Sequence, residues 1–389
     1  MKWSDIFPQP VGIFPYPLSF LIVPYVQNWQ KHIKKLINLE FKDLPEEWKF
    51  VKYLNESEID KALKSLDNIQ EEPVKQYISS ILKNIYIKNP DTQLDNLLKM
   101  FFGEILEFDT DRYDLKALQH FIKADYLIKE NDTYSAVQEL DNALKLIKNT
   151  SPIFQAQILL KKVKLIIQQK GVNFSTIALL EQIYNSLKNS NAKVLKAEAS
   201  FNLGNAYSSL GNIQNAIKHY TEALEVYKKD KYPYMYALIN NNMGLAYLSI
   251  QATDLEDHMR LAYGIQCLKN ALKIFTKDKY PDEWASTSLN YANGLQYLPT
   301  ANPIKNLLEA VNIYKEILNY RKQQNDEIGY ARTLANLGNA LAHLGKLDDA
   351  KNCLLEAKML FSKYGMKEEK QAIDEILEEI HLVEVKGNE

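Results

Sequence analysis

Three four-residue segments in the second half of the chain each place two asparagines three residues apart. They are Asn202-Leu203-Gly204-Asn205, Asn290-Tyr291-Ala292-Asn293 and Asn336-Leu337-Gly338-Asn339. On an α-helix, positions three apart lie on the same face, about one turn from each other. An asparagine amide has two N–H donors and an acceptor oxygen, so such a pair can hydrogen-bond to the backbone of another chain. The spacing therefore indicates a surface that binds a peptide.

Further polar residues stand at related positions. Asn242 corresponds to the first asparagine of the motif, and Leu245 stands in place of the second. Asn241 directly precedes Asn242. Arg332 lies one turn before Asn336 and would either meet an acidic group on a ligand or be an exposed helix charge. The alternative is that all these amides only join adjacent helices. The candidate peptide-binding residues are Asn202, Asn205, Asn241, Asn242, Asn290, Asn293, Arg332, Asn336 and Asn339.

The asparagine segments belong to a repeat that aligns on one small residue. Gly204 is followed at offsets 3, 12, 16 and 19 by Tyr207, Ala216, Tyr220 and Ala223, and Gly338 by Leu341, Ala350, Leu354 and Ala357. The pattern extends to anchors at Ala124, Lys164, Gly244 and Ala292, and the last position of the pattern in each repeat stands 21 residues before the next anchor. Small residues let two helices approach closely, and large ones fill the space between repeats. The pattern predicts six helix–turn–helix repeats over 113–365.

This order of small and large residues resembles the tetratricopeptide repeat. The segments that carry the resemblance are FNLGNAYSSLGNIQNAIKHYTEALEVY, LINNNMGLAYL, YPDEWASTSLNYANG and RTLANLGNALAHLGKLDDAKNCLLEA. The uninserted period of 40 residues is similar to the longer repeats of kinesin light chains, LGN/Pins-type scaffolds and Rap-like receptors. The resemblance implies an all-α, right-handed α-solenoid whose first helices line a concave surface, where asparagines contact a bound peptide.

The resemblance places the asparagines in the last four repeats. The first two repeats have other residues at the corresponding positions, which are Ile122, Asp125, Lys162 and Leu165. We therefore expect a peptide groove over about 197–345. Insertions at 251–260 and 299–305 interrupt the fourth and fifth repeats, and we expect both to be loops.

The chain outside the repeats divides into three parts. Prolines and aromatic residues alternate in the first part of 1–45, which predicts an extended arm followed by a helix, since proline is excluded from helix interiors. The arm would cover the open end of the array or contact a partner or the groove. Residues 46–112 predict short helices at 46–54 and 57–66 and a degenerate repeat. Residues 366–389 predict a capping helix and tail, in which Ile373, Ile376, Leu377 and Ile380 form one stripe.

Composition and motifs argue against several classes of protein. The 389 residues carry a formal net charge of −2, which gives no electrostatic reason to expect nucleic acid or a membrane as partner. Cys267 and Cys353 are read as small apolar residues, which fits a cytoplasmic location. No uninterrupted apolar stretch is long enough to span a bilayer. Phosphate-loop, zinc-protease and nucleophile-elbow motifs are missing, so we expect no catalytic residue, no metal and no cofactor.

These patterns favour a non-enzymatic scaffold or adaptor for protein–protein interaction that binds a peptide segment of its partner. A peptide-gated regulatory receptor, with the N-terminal region as effector or autoinhibitory arm, is one alternative. An enzyme, or an accessory subunit of one, with an unrecognised N-terminal site is another. The identity of the partner and the oligomeric state stay open at this level.

Overall fold

The computed structural model describes most of the chain after residue 39. The described ranges are 40–56, 58–70, 72–83, 107–111, 113–147, 152–188, 192–250, 255–298, 300 and 302–387, with single positions at 26, 31, 32, 35, 96, 99, 100, 104 and 105. Within these ranges the backbone forms helices and no strand, which confirms the all-α class. The predicted N-terminal arm lies outside the described residues.

The described residues form sixteen α-helices. They are α1 (Lys49–Asn55), α2 (Ile59–Ser65), α3 (Glu72–Lys83), α4 (Tyr113–Lys129), α5 (Thr133–Ile147), α6 (Pro152–Lys170), α7 (Phe174–Leu187), α8 (Lys193–Ser209), α9 (Ile213–Val226), α10 (Pro233–Leu248), α11 (Leu255–Leu272), α12 (Pro281–Tyr297), α13 (Pro303–Gln323), α14 (Glu327–His343), α15 (Leu347–Lys363) and α16 (Lys367–Gly387). The chain divides into two compact units, unit 1 over 1–211 and unit 2 over 212–389. The division falls between α8 and α9, inside the third predicted repeat.

Unit 1 contains short helices followed by helix pairs. The predicted helix at 46–54 forms as a 3₁₀ turn followed by α1. The predicted helix at 57–66 forms as α2. Helices α4 and α5 pack as a pair, as do α6 and α7, and α5 and α7 each contact the helix that follows. One hydrophobic core runs through the unit, with Trp48 and Phe154 among its largest fully buried side chains. Most of the predicted degenerate repeat lies outside the described residues.

Unit 2 stacks its helix pairs in chain order. The pairs α10–α11, α12–α13 and α14–α15 each pack together, and each pair contacts the next. The first helices also touch one another, α10 with α12, α12 with α14, and α14 with the C-terminal helix α16. The main contacts of each described helix in unit 2 are thus with its near neighbours along the chain, which is the arrangement of an α-solenoid.

Local sequence explains where the helices of unit 2 begin and end. Pro233, Pro281 and Pro303 are the first residues of α10, α12 and α13, where a missing N–H costs nothing. The Asp326 side chain caps α14 by accepting a hydrogen bond from the backbone N–H of Gly329. Gly345, in the turn that follows α14, has a φ of 72°, a conformation that glycine adopts without strain.

The residues of the repeat pattern, small and large, lie where helices touch. Ala350, Leu354 and Ala357 of α15 are fully buried. A Cβ atom added to Gly338 would lie 2.7 Å from Cγ of Leu354, so α14 and α15 meet in van der Waals contact there. The predicted register is therefore correct in this repeat.

The second repeat departs from the predicted register. Lys164, the predicted anchor, is exposed and pairs with Glu198, whereas Val163 is fully buried. Val163 is the twelfth residue of α6, as Gly204 is of α8. A charged lysine side chain is not buried at a close helix–helix contact, so the anchor of this repeat is Val163 and not Lys164. The predicted interval of 21 residues before the anchor therefore does not hold in this repeat.

Both predicted insertion loops are shorter than expected. Helix α11 begins at Leu255, within the predicted loop at 251–260, and α13 begins at Pro303, within the predicted loop at 299–305. In both cases part of the inserted sequence extends the second helix of its repeat. The predicted capping helix is confirmed as α16, with Ile373 and Ile380 buried against the core.

Candidate functional site

The first helices α10, α12 and α14 lie side by side in unit 2 and form what we call the A-helix face. Seven of the nine predicted binding residues belong to this unit. Asn241 and Asn242 are on α10, Asn290 and Asn293 on α12, and Arg332, Asn336 and Asn339 on α14. Asn202 and Asn205 are on α8 of unit 1, so each unit has its own set.

Hydrogen bonds between amides join α10 to α12. Nδ2 of Asn290 donates to Oδ1 of Asn241 over 3.2 Å, and Nδ2 of Asn241 donates to Oδ1 of Asn242 over 3.1 Å. These bonds satisfy one end of the Asn290 amide within the protein. The alternative that the asparagines join adjacent helices therefore holds for this part of the set.

A second chain of hydrogen bonds joins α14 to α12, and α12 to α13. Nδ2 of Asn339 donates to Oε1 of Gln296, and Nε2 of Gln296 donates to the hydroxyl of Tyr314 over 2.6 Å. The Tyr314 hydroxyl donates in turn to Oδ1 of Asn293 over 2.7 Å. Burial raises the pKa of Tyr314, so this hydroxyl keeps the proton that it donates.

These two networks fix how the Asn290 and Asn293 amides are turned. The Tyr314 proton needs an acceptor, so Asn293 directs its oxygen inward and its Nδ2 outward. Asn290 directs its Nδ2 inward to Asn241, which leaves its oxygen outward. No described residue pairs with either outward atom. One helix face thus presents a donor and an acceptor three residues apart, which matches the N–H and C=O of a peptide backbone.

Both asparagines line a pocket of about 460 Å³ in unit 2. Its lining consists of Leu245, Leu248, Ser249, Ile250, Leu261, Asn290, Asn293, Gly294 and Tyr297. The lining comes from α10, α11 and α12 and contains no ionisable residue except the tyrosine. Its volume lies within the roughly 300–1,000 Å³ typical of ligand pockets, which are mostly apolar with a few placed polar groups.

The pocket opens to solvent through large side chains. Leu245 is 41% exposed and Tyr297 is 64% exposed. Gly294 forms a wall where Leu248 approaches so closely that an added Cβ would lie 2.9 Å from its Cδ1.

None of the other predicted residues lines this pocket, although Nδ2 of Asn339 donates to the hydroxyl of Tyr297, which does. Nδ2 of Asn202 donates to the Glu198 carbonyl of its own helix, and Asn205 is half-buried. Arg332 is exposed, with Nη2 at 3.7 Å from Oε1 of Glu369 on α16. Asn336 is half-buried and makes no side-chain hydrogen bond to a described residue. The pocket therefore uses two of the nine predicted residues directly.

A second pocket, of about 430 Å³, lies in unit 1 and is charged. Its lining is Glu107, Phe108, Asp109, Lys116, Gln119, His120 and Lys123. His120 and Lys123 both contact the half-buried carboxylate of Glu139. Burial alone would raise the Glu139 pKa, but hydrogen bonds from His120 and Lys123 and the charge of Lys123 lower it. The cations of this pocket are thus largely compensated within unit 1.

Sequence reasoning missed two residues that line the unit 2 pocket and one that orients Asn293. Tyr314 is recognised only as a large residue of the repeat pattern, and its hydroxyl is the feature that matters. Leu261 and Ile250 flank the insertion that was expected to be a loop, so they had no predicted role. Gln296, three residues after Asn293 on the same helix face, was the one available signal.

The described residues contain no group of three or more histidine, cysteine, aspartate or glutamate side chains that could hold a metal ion. Among the described helices, none has the length and apolar composition needed to cross a membrane.

Comparison with known proteins identifies two of the predicted repeats. Family models of the tetratricopeptide repeat match residues 197–230 and 331–358. These matches support the predicted tetratricopeptide repeats, and proteins with such repeats typically serve protein–protein interaction. A relative from Plasmodium falciparum (isolate 3D7), itself uncharacterised, is 28% identical over 166 residues, which cover 36% of this chain and 16% of that protein.

Solved structures align with this chain at low sequence identity. A signal transduction ATPase with numerous domains and a tetratricopeptide repeat sensor, from Pyrococcus horikoshii, aligns over 88% of this chain with a TM-score of 0.57 and 12% identity. This chain covers 50% of that protein. Aspartyl phosphate phosphatase F from Bacillus subtilis aligns over 93% of this chain and 96% of its own, with a TM-score of 0.46 and 12% identity.

Proposed function

We propose that this protein is a non-catalytic interaction scaffold that binds an extended peptide segment of a partner protein at the unit 2 pocket. The observation that carries the proposal is the paired orientation of Asn290 and Asn293. Each amide uses one end in a hydrogen bond within the protein, its other end has no partner among the described residues, and both side chains line the pocket.

An extended peptide satisfies both outward atoms at once. Its carbonyl oxygen accepts from Nδ2 of Asn293, and its N–H donates to Oδ1 of Asn290. The inward bonds hold both amides in place before the peptide arrives, so binding orders few further groups and loses little entropy.

A substitution that preserves the internal network tests this proposal. Asn293→Asp keeps an oxygen for the Tyr314 hydroxyl and replaces the outward N–H donor with a second oxygen. Peptides are first selected from a random library on the immobilised full-length wild type, and their affinities are then measured by fluorescence anisotropy. We expect the variant to lose about tenfold or more in affinity, because a donor is lost and two acceptors face each other.

Asn336→Asp is the matched control, because Asn336 is a half-buried asparagine on the first helix of a repeat in unit 2, as Asn293 is, and does not line the pocket. It introduces the same charge into the same unit, and we expect the affinity to change less than about threefold. Unchanged peptide affinity in a folded Asn293→Asp protein would disprove the proposal.

A further inference from the structure

We infer that the bound peptide carries a large apolar side chain, such as that of leucine, methionine or phenylalanine, and that this side chain enters the unit 2 pocket. The inference rests on the proposed function and names the class of peptide side chain that the pocket binds. It is carried by the lining of the pocket, which is independent of the amide network.

The lining is suited to hydrocarbon. Leu245 and Leu248 of α10 and Leu261 of α11 provide aliphatic surface on one side, and the Tyr297 ring lies at the mouth. The cavity of about 460 Å³ leaves room for a large side chain together with the peptide groups that flank it. A small residue such as alanine would leave most of this surface in contact with water.

The lining also excludes charged residues. None of the side chains that line the pocket carries a charge at neutral pH, so a lysine or glutamate placed there would be desolvated without a partner. A purely hydrocarbon ligand is disfavoured for a different reason, because it would bury the outward atoms of Asn290 and Asn293 without hydrogen bonds. The pocket thus requires an apolar side chain that is attached to a peptide backbone.

Small probes separate the two parts of this ligand. N-acetyl-leucine N′-methylamide has one leucine side chain between two peptide groups, the alanine analogue keeps only the peptide groups, and 4-methyl-1-pentanol keeps the hydrocarbon and has one hydroxyl in place of the two peptide groups. Each is titrated into the full-length protein, and the methyl NMR signals of Leu245, Leu248 and Leu261 are followed. We expect the leucine probe to shift these signals and to bind about tenfold or more tightly than either of the other two.

The outcomes distinguish this inference from the proposed function. Equal binding of the leucine and alanine probes overturns the inference and leaves the backbone contact in place. Binding of the alcohol as tight as that of the leucine probe overturns the backbone contact at this pocket, and with it the peptide ligand inferred here.

A matched pair of variants tests the location. Leu245→Asp places a charge in the pocket at a side chain that is already 41% exposed, and Leu355→Asp places one on the 49% exposed Leu355 of α15. We expect the first variant to lose about tenfold or more in affinity for the leucine probe and the second to keep it. Equal affinities in two folded variants would contradict the assignment of the side chain to this pocket.

Discussion

Each asparagine that lines the unit 2 pocket uses one end of its amide in a hydrogen bond within the protein and leaves the other end without a partner among the described residues. The inward atoms of Asn290 and Asn293 bond to α10 and α13, and the outward atoms form an oriented donor–acceptor pair. A glutamine would add a rotatable bond, and an aspartate would lose the donor, so asparagine is the side chain that best fits both tasks. At the scale of residues, the structural and the binding interpretations of these asparagines are compatible.

The Tyr314 hydroxyl determines how the Asn293 amide is turned. Tyr314→Phe removes the acceptor for Gln296 and the donor for Asn293, so we expect a loss of about 1–3 kcal/mol in the free energy of unfolding. We also expect weaker binding of the selected peptides, because Asn293 can then direct either end of its amide into the pocket. Chemical denaturation and fluorescence anisotropy measure the two effects.

Tyr320→Phe separates these two effects. Tyr320 lies on the same helix and donates its hydroxyl proton to Asp282, away from the pocket lining. This variant should lose stability but keep its peptide affinity. If both tyrosine variants bind equally well, Tyr314 does not orient Asn293.

Helices of this chain are specified by two features of the sequence, terminal residues and small residues at contacts. The C-terminal stripe of Ile373 and Ile380 predicted a capping helix, and the structure forms it. Lys164 was assigned by interval alone, and its exposure shows that a fixed interval cannot replace the burial that each side chain requires. The site could not be predicted, because Leu261 reaches the pocket only once α11 has packed, and Tyr314 reaches Asn293 only once α13 has packed.

The close contact between α14 and α15 at Gly338 gives a prediction about stability. In Gly338→Ala the added Cβ would lie 2.7 Å from Cγ of Leu354 and 3.1 Å from the carbonyl oxygen of Ala350. Overpacking of this kind costs about 1–3 kcal/mol, which exceeds the gain of up to about 1 kcal/mol in helix propensity. We expect a net decrease in the free energy of unfolding, measured by chemical denaturation.

Asn312→Ala on the exposed side of α13 is the control for helix propensity, since it gains propensity without adding a contact. It should be neutral or slightly stabilising. If Gly338→Ala were as stable as this control, α14 and α15 would not be in close contact at Gly338.

The charge of the whole molecule bears on how a partner is recognised. The formal net charge is −2, and the unit 2 pocket has no charged lining residue. Long-range attraction therefore contributes little, and apolar contact with backbone hydrogen bonds should dominate. We expect the affinity of the selected peptides to change less than about threefold from about 50 to about 500 mM salt.

A tenfold weakening over that range would contradict this expectation. It would point to a charged contact, for which Arg332 or the unit 1 pocket around Lys116 would be the candidate. The neutral pocket of unit 2 would then not be the main binding site.

The side-chain amide signal of Asn293 tests the central claim most directly, because the claim is that its Nδ2 donates a hydrogen bond to a bound peptide. The measurement is the ¹⁵N–¹H spectrum of the full-length protein, with this signal assigned by its loss in Asn293→Asp. On addition of a selected peptide, we predict that the Asn293 amide protons shift downfield and exchange more slowly with water. A peptide that binds at full affinity and leaves this signal unchanged would contradict the account.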